Sequence, residues 1–126
     1  MSFNHNQVQL SGRAGHDAEL HLLTDGTPLA RLRLYQTVVN HAGESTSACF
    51  ILTAWNSLAE AVHRKVRRND RLLVQGKLRI RSFRQDGTLH LRPEIHLESF
   101  HVLQRKPHDH IDTDSMATAE SSEVSR

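Results

Sequence analysis

Apolar and polar positions alternate from Leu72 to Phe83, and the two faces that result carry different chemistry. Leu72, Val74, Gly76, Leu78 and Ile80 make an apolar row suited to a core, while Lys77, Arg79, Arg81 and Phe83 share the opposite surface. Side chains on a strand point alternately to opposite faces, so this spacing sets three cations in line with an aromatic ring. Leu32 and Leu34 face one way and Arg31, Arg33 and Tyr35 the other, repeating the arrangement on a second strand. From Cys49 to Trp55 both sets are largely apolar: Phe50, Leu52 and Ala54 against Cys49, Ile51, Thr53 and Trp55. Cations beside flat rings suit a single nucleic-acid strand, which offers phosphates to charge and bases to stacking. Repetition on two strands favours that surface over one that is merely solvated.

The remaining pattern supplies the order of elements. Val8 and Leu10 open a first strand that Gly12 and Gly15 interrupt or bend, and it resumes over 19–23. Thr24-Asp25-Gly26-Thr27 is a turn, followed by a strand over 29–38, a polar loop over 40–45 and a strand over 47–55. Ser57 and Glu60 then fit a capping box, with Leu58, Ala61, Val62 and Val66 at helical spacing. Two long strands, 71–84 and 89–103, flank Asp86-Gly87, a strong hairpin signal. Pro93 marks an edge or a projecting segment, and the apolar row changes parity near Ser99, which predicts a bulge there. Five strands with one helix between the third and fourth is the order of an all-β OB-fold, a partly open Greek-key barrel. The barrel is expected over residues 1–106, and 107–126, poor in large apolar residues and rich in Ser, Thr and Asp, as a disordered acidic tail.

Charge sharpens this division. The net charge of +2 is the sum of a basic body, with 15 Lys or Arg against 9 Asp or Glu, and a tail in which Arg126 faces five acids. A basic body attracts polyanions. No apolar run approaches the length of a membrane span, the start MSFNHNQVQL is not a signal peptide, and the single Cys49 forms no intrachain disulfide. A cytoplasmic, nucleoid-associated protein is the expectation.

Four segments carry a family resemblance. Asn6-Gln7-Val8-Gln9-Leu10-Ser11-Gly12-Arg13 with His16-Asp17-Ala18-Glu19-Leu20, then Ala54-Trp55-Asn56-Ser57-Leu58-Ala59-Glu60, and Leu73-Val74-Gln75-Gly76-Lys77-Leu78-Arg79, occur in the right order and spacing. Together they resemble the bacterial single-stranded DNA-binding proteins over about Asn6 to Gln104. That resemblance implies an OB-fold that coats single-stranded DNA in replication, recombination or repair, as a homotetramer. Trp55 and Phe83 fall where the family places stacking aromatics, whereas Asn40 and Cys49 stand where other members carry further rings. Tyr35 compensates in part from outside the family pattern. The ending Glu120-Ser121-Ser122-Glu123-Val124-Ser125-Arg126 lacks the family's acidic, hydrophobic-anchored tip, which argues against recruiting repair enzymes through it.

The expected site therefore has Arg31, Arg33, Lys77, Arg79, Arg81 and Arg84 on phosphates, with Trp55, Phe83 and Tyr35 on bases. The alternative is a primosome-type adaptor on the same barrel, dimeric and tailless, that bridges replication-restart proteins. No cofactor, metal or catalytic activity is expected: one Cys removes the common zinc patterns, and no phosphate loop or nucleophile motif is present. His108-Asp109-His110 with Asp112 could hold only an adventitious cation.

Overall fold

The computed structural model describes residues 4–105. Its elements are β1 (Val8–Ala14), β2 (Glu19–Leu22), β3 (Pro28–Val39), β4 (Ser45–Trp55), α1 (Asn56–Lys65), β5 (Arg71–Gln85) and β6 (Thr88–Gln104). The strands lie in the order β1-β5-β6-β4-β3-β2, and β1 also pairs with β3 through Arg13↔Tyr35 and Ala14↔Leu34, so the ladder returns on itself. All pairs are antiparallel except the short β4–β6 contact at Leu52↔Ile95 and Thr53↔His96. This is the expected OB-fold with one strand more, and the helix lies between the fourth and fifth strands rather than the third and fourth. The first strand divides because its ladder changes partner. Ala14 N–H donates to the Asp70 carbonyl and Gly15 N–H to the Arg33 carbonyl, after which Asp17 Oδ1 accepts the Arg68 N–H at 2.8 Å. Pairing resumes only at Glu19↔Arg31. The expected tail at 107–126, with its His108-Asp109-His110 and Asp112 cluster, lies outside the described residues.

Alternation places the core. Leu32 and Leu34 of β3, Leu52 and Ala54 of β4, Leu72 and Val74 of β5, and Ile95 and Leu97 of β6 point inward and are buried. Ala59 and Val62 of α1, with Val66 just beyond it, close one end of the barrel. The pairing thus resolves the ambiguous segment: Phe50, Leu52 and Ala54 face inward, and Cys49, Ile51, Thr53 and Trp55 outward. The helix starts earlier than the capping-box reading requires. Trp55 is the extended N-cap residue, with no side-chain cap bond, and Ser57 already lies within the helix. Asn56 turns the chain at a left-handed φ of 61°, a conformation Asn tolerates better than most residues.

β5 and β6 pair from Arg71↔Gln104 to Gln85↔Thr88. Glu98 is left over between Gln75↔Ser99 and Gly76↔Leu97, which is the bulge expected from the change of parity near Ser99. Asp86 at φ 54° and Gly87 at φ 77° form the hairpin turn, both left-handed as a type I′ turn demands. One expectation is corrected here. Leu78 and Ile80 do not join the core; with Leu89 and Leu91 they are exposed by 42–64%. The strands run on past the barrel as a two-stranded arm, so residues of inward parity beyond Gly76 have little core beneath them. Pro93, opposite Ile80, sits in this arm, where a missing N–H costs little.

At Gly76 the two strands crowd: a Cβ there would lie 2.2 Å from the His96 carbonyl oxygen, a backbone atom. At Gly15 the nearest obstacle is a side chain, Tyr35 Cε2, also at 2.2 Å. Gly76→Ala is therefore expected to destabilise by about 1–3 kcal/mol, and Gly15→Ala by less, because a ring can swing aside. Denaturant midpoints of the two variants would check the ranking.

Candidate nucleic-acid interface

Four strands contribute to one outer surface, and their register sets its contents. Across β3 and β4, Leu29 faces Trp55, Arg31 faces Thr53, Arg33 faces Ile51 and Tyr35 faces Cys49. Thr53 lies beside His96 of β6, and β6 carries the surface to β5 through His96↔Lys77, Glu94↔Arg79, Arg92↔Arg81 and His90↔Phe83. Residues far apart in the chain thereby become neighbours.

At the centre is a groove of about 420 Å³. Arg31, Arg79 and Arg81 rim it, Trp55 with Leu29 and Ile80 gives it apolar surface, and Thr53, Glu94 and His96 complete its lining. Trp55 is half-buried, and the His96 ring meets it edge-on at 4.6 Å between centroids. A second hollow, about 620 Å³, runs along 4–7 and is bounded by Lys77, Arg79 and Glu98. Arg79 borders both. Lys77 Nζ stands 3.8 Å from Glu98 Oε2, an exposed pair of little net strength.

The other expected residues divide. Phe83 lies out along the arm, its ring stacked on His90 at 5.3 Å and 17°, with the Arg92 guanidinium 5.1 Å from its centroid. Together these three make an aromatic cluster with one cation on the arm. Arg33 is exposed on the same face as Arg31, but does not line the groove. Tyr35 lies farther along β3, with its ring over Gly15. Arg84 has the opposite parity to Phe83 and pairs with Leu89, so the twist of the arm, and not the groove, governs where its charge goes.

Sequence reading missed Glu94 and Thr53. Glu94 alternates with His90, Arg92 and His96 in a polar row of the sequence that gives no sign of burial, yet it is only 4% exposed. Thr53 Oγ1 donates to Glu94 Oε1 at 3.4 Å, Arg81 Nη1 lies 3.6 Å from Oε2, and His96 Nε2 lies 4.0 Å from Oε1. Oε2 itself has no hydrogen-bond partner. A charged residue alternating with apolar neighbours next to a Pro was the available signal, and it was too weak to indicate a buried acid.

His96 is held below the ordinary imidazole value of 6.5, first by loss of solvent; Glu94 opposes this and Arg79 adds to it. The folded protein then binds this proton less readily than the unfolded chain, so its contribution to stability is lost as pH falls from about 6.5 through the folded value. Because His96 abuts the only Trp, its protonation is expected to quench Trp55 fluorescence with a midpoint below 6.5. A pH titration of emission, with His96→Gln abolishing the step, would check the assignment.

Comparison with known proteins agrees with this architecture. The model of the single-strand binding protein family matches residues 5–103. The chain is 29% identical over 108 residues to a single-stranded DNA-binding protein of Bacteroides thetaiotaomicron, covering 80% of this chain and 67% of that protein. It is 27% identical over 104 residues to single-stranded DNA-binding protein 1 of Streptococcus pyogenes serotype M6, covering 81% and 79%. With a family match spanning nearly the whole described barrel, and a barrel of the matching fold, the chain belongs to the single-strand binding protein family.

Proposed function

We propose that the protein binds single-stranded DNA and coats it without reading a defined sequence. The observation that carries this is the central groove, where Arg31, Arg79 and Arg81 surround Trp55 on a solvent-facing sheet. A flat ring beside fixed cations takes a base and the phosphates on either side of it, and every base has a π-face to stack. Phe83 with His90 and Arg92 offers a second stacking place along the arm, and Lys77 and Arg79 continue the charge toward the second hollow. Arg33 adds long-range attraction from the same face, with Arg84 and Tyr35 further from the path. The names of the two relatives support the choice of ligand. A role in replication, recombination or repair, and assembly as a homotetramer, complete the proposal: one barrel with few rings binds weakly, and linked barrels gain avidity. The groove favours this reading over the adaptor, which requires no base-stacking surface.

Titration of a labelled mixed-sequence single strand, followed by anisotropy at several salt concentrations, tests the proposal. Affinity is expected to fall as salt rises, by roughly 0.7 log unit per neutralised phosphate per log unit of salt. Trp55→Ala should weaken binding by about 1–3 kcal/mol with the salt slope unchanged. Arg79→Ala should instead flatten the slope by about one contact's worth. Two variants that bind like the parent would overturn this face as the site.

A further inference from the structure

Two arginines stand directly opposite each other across β1 and β5, Arg13↔Arg71, and both are exposed. Like charges facing across a ladder are unfavourable, since cross-strand partners lie only about 5 Å apart at Cβ. Among the described residues no acid forms an ion pair with either arginine. Asp70, next to Arg71 in the chain, is buried, and its Oδ2 accepts the Arg67 N–H at 2.9 Å and lies 3.3 Å from Arg105 Nη1. The outer partners of the two arginines are neutral: Tyr35 beside Arg13 on β3, and Gln104 beside Arg71 on β6. Two cations are thus held side by side on a rigid ladder, and an anion between them would remove the repulsion.

We infer that Arg13 and Arg71 form a clamp for one phosphate of the bound single strand, reached from the central groove by way of Arg33 and Tyr35. The inference rests on the proposed binding of single-stranded DNA and extends its path beyond the groove. Register supplies the route. Arg31 at the groove rim, Arg33 and Tyr35 follow one another on the outer face of β3, and the pairs Tyr35↔Arg13 and Arg13↔Arg71 carry that face across β1 to β5. The route runs about 13 Å along β3 and about 10 Å across two ladder steps, within reach of a strand covering about 4–16 nucleotides on one OB-fold. It also gives a place to two residues that do not line the groove. Arg33 stands exposed midway, and Tyr35 is 37% exposed, with part of its ring open next to Arg13. The chemistry fits a phosphate, because guanidinium forks match its oxygens in two-point hydrogen bonds. Two forks on neighbouring paired strands share one anion, and their mutual repulsion becomes attraction to a common partner.

The test compares the intact chain with the double variant Arg13→Gln/Arg71→Gln and with a charge-matched one, Arg64→Gln/Lys65→Gln, at exposed positions of α1 outside this row. A labelled mixed-sequence strand of about sixteen nucleotides is titrated into each at several salt concentrations. Arg13→Gln/Arg71→Gln is expected to lose about 0.7 from the salt slope, the share of one phosphate on a single strand, with Trp55 emission at saturation as in the parent. The α1 variant should keep the parent's slope. In low salt, Arg13→Gln/Arg71→Gln should also raise the denaturant midpoint, because the like-charge contact is gone. A slope equal to the parent's in Arg13→Gln/Arg71→Gln would overturn the clamp and leave the groove as the binding site. An equal loss in the α1 variant would mean attraction at a distance in place of contact, and would overturn it too. A lowered midpoint would assign the pair to the fold and not to the strand. Failure of the parent to bind any strand would overturn the proposed function, and the clamp with it.

Discussion

The ladder between β5 and β6 governs most of this molecule. It runs from Arg71↔Gln104 to Gln85↔Thr88 with two register shifts near its barrel end, and its two halves have different tasks. Near the barrel it buries Leu72, Val74, Ile95 and Leu97; beyond Leu78↔Ile95 it leaves the core and becomes an arm. The close passage of Gly76 over the His96 carbonyl and the unpaired Glu98 beside it lie where these halves meet. A bulge adds local twist and lets Phe100 and Val102 turn back toward the core after Leu97. Without that adjustment, the strand could serve the barrel at one end or the arm in the middle, but not both.

The same ladder sets the electrostatics of the outer surface. Lys77, Arg79 and Arg81 stand at alternate positions of β5, and β6 places His96, Glu94 and Arg92 opposite them in turn. An acid thus lies inside a row of cations, with Thr53 of β4 behind it. Removing either partner from a buried charged group costs more than forming the pair gains, so such a group persists where it has a task or where geometry traps it. Here the geometry leaves one carboxylate oxygen buried without a hydrogen bond, 3.6 Å from Arg81 Nη1. The cluster also keeps Trp55 in a fixed pose, edge-on to His96, with its ring bordering the groove.

Much of this could be read from residue order. Period-two spacing placed Arg31, Arg79 and Arg81 on outward faces, Asp86-Gly87 located the hairpin, and the parity change near Ser99 located the bulge, because each is a local rule of backbone geometry; the face of Trp55 stayed open until β3 and β4 paired. The errors have a common cause. Ser57 and Glu60 matched a capping pattern, but the strand runs straight into the helix and Trp55 takes the cap position. Leu78 and Ile80 had core parity, but parity gives direction and not what lies in that direction. Tyr35 had the same parity as Arg31, yet the ring lies over Gly15, where β1 crosses to β3.

By itself, the sequence determined where most strands run, the alternation of their faces, the hairpin turn and the excess of positive charge over the body. These depend on contacts between residues a few positions apart, or on composition. Only the tertiary structure decided which outward residues meet. Arg31, Trp55, Arg79 and Glu94 come from four different strands, and the Thr53–Glu94 bond joins residues 41 positions apart. Such meetings depend on the register in which strands pair, and register is settled by how the whole barrel closes over its core.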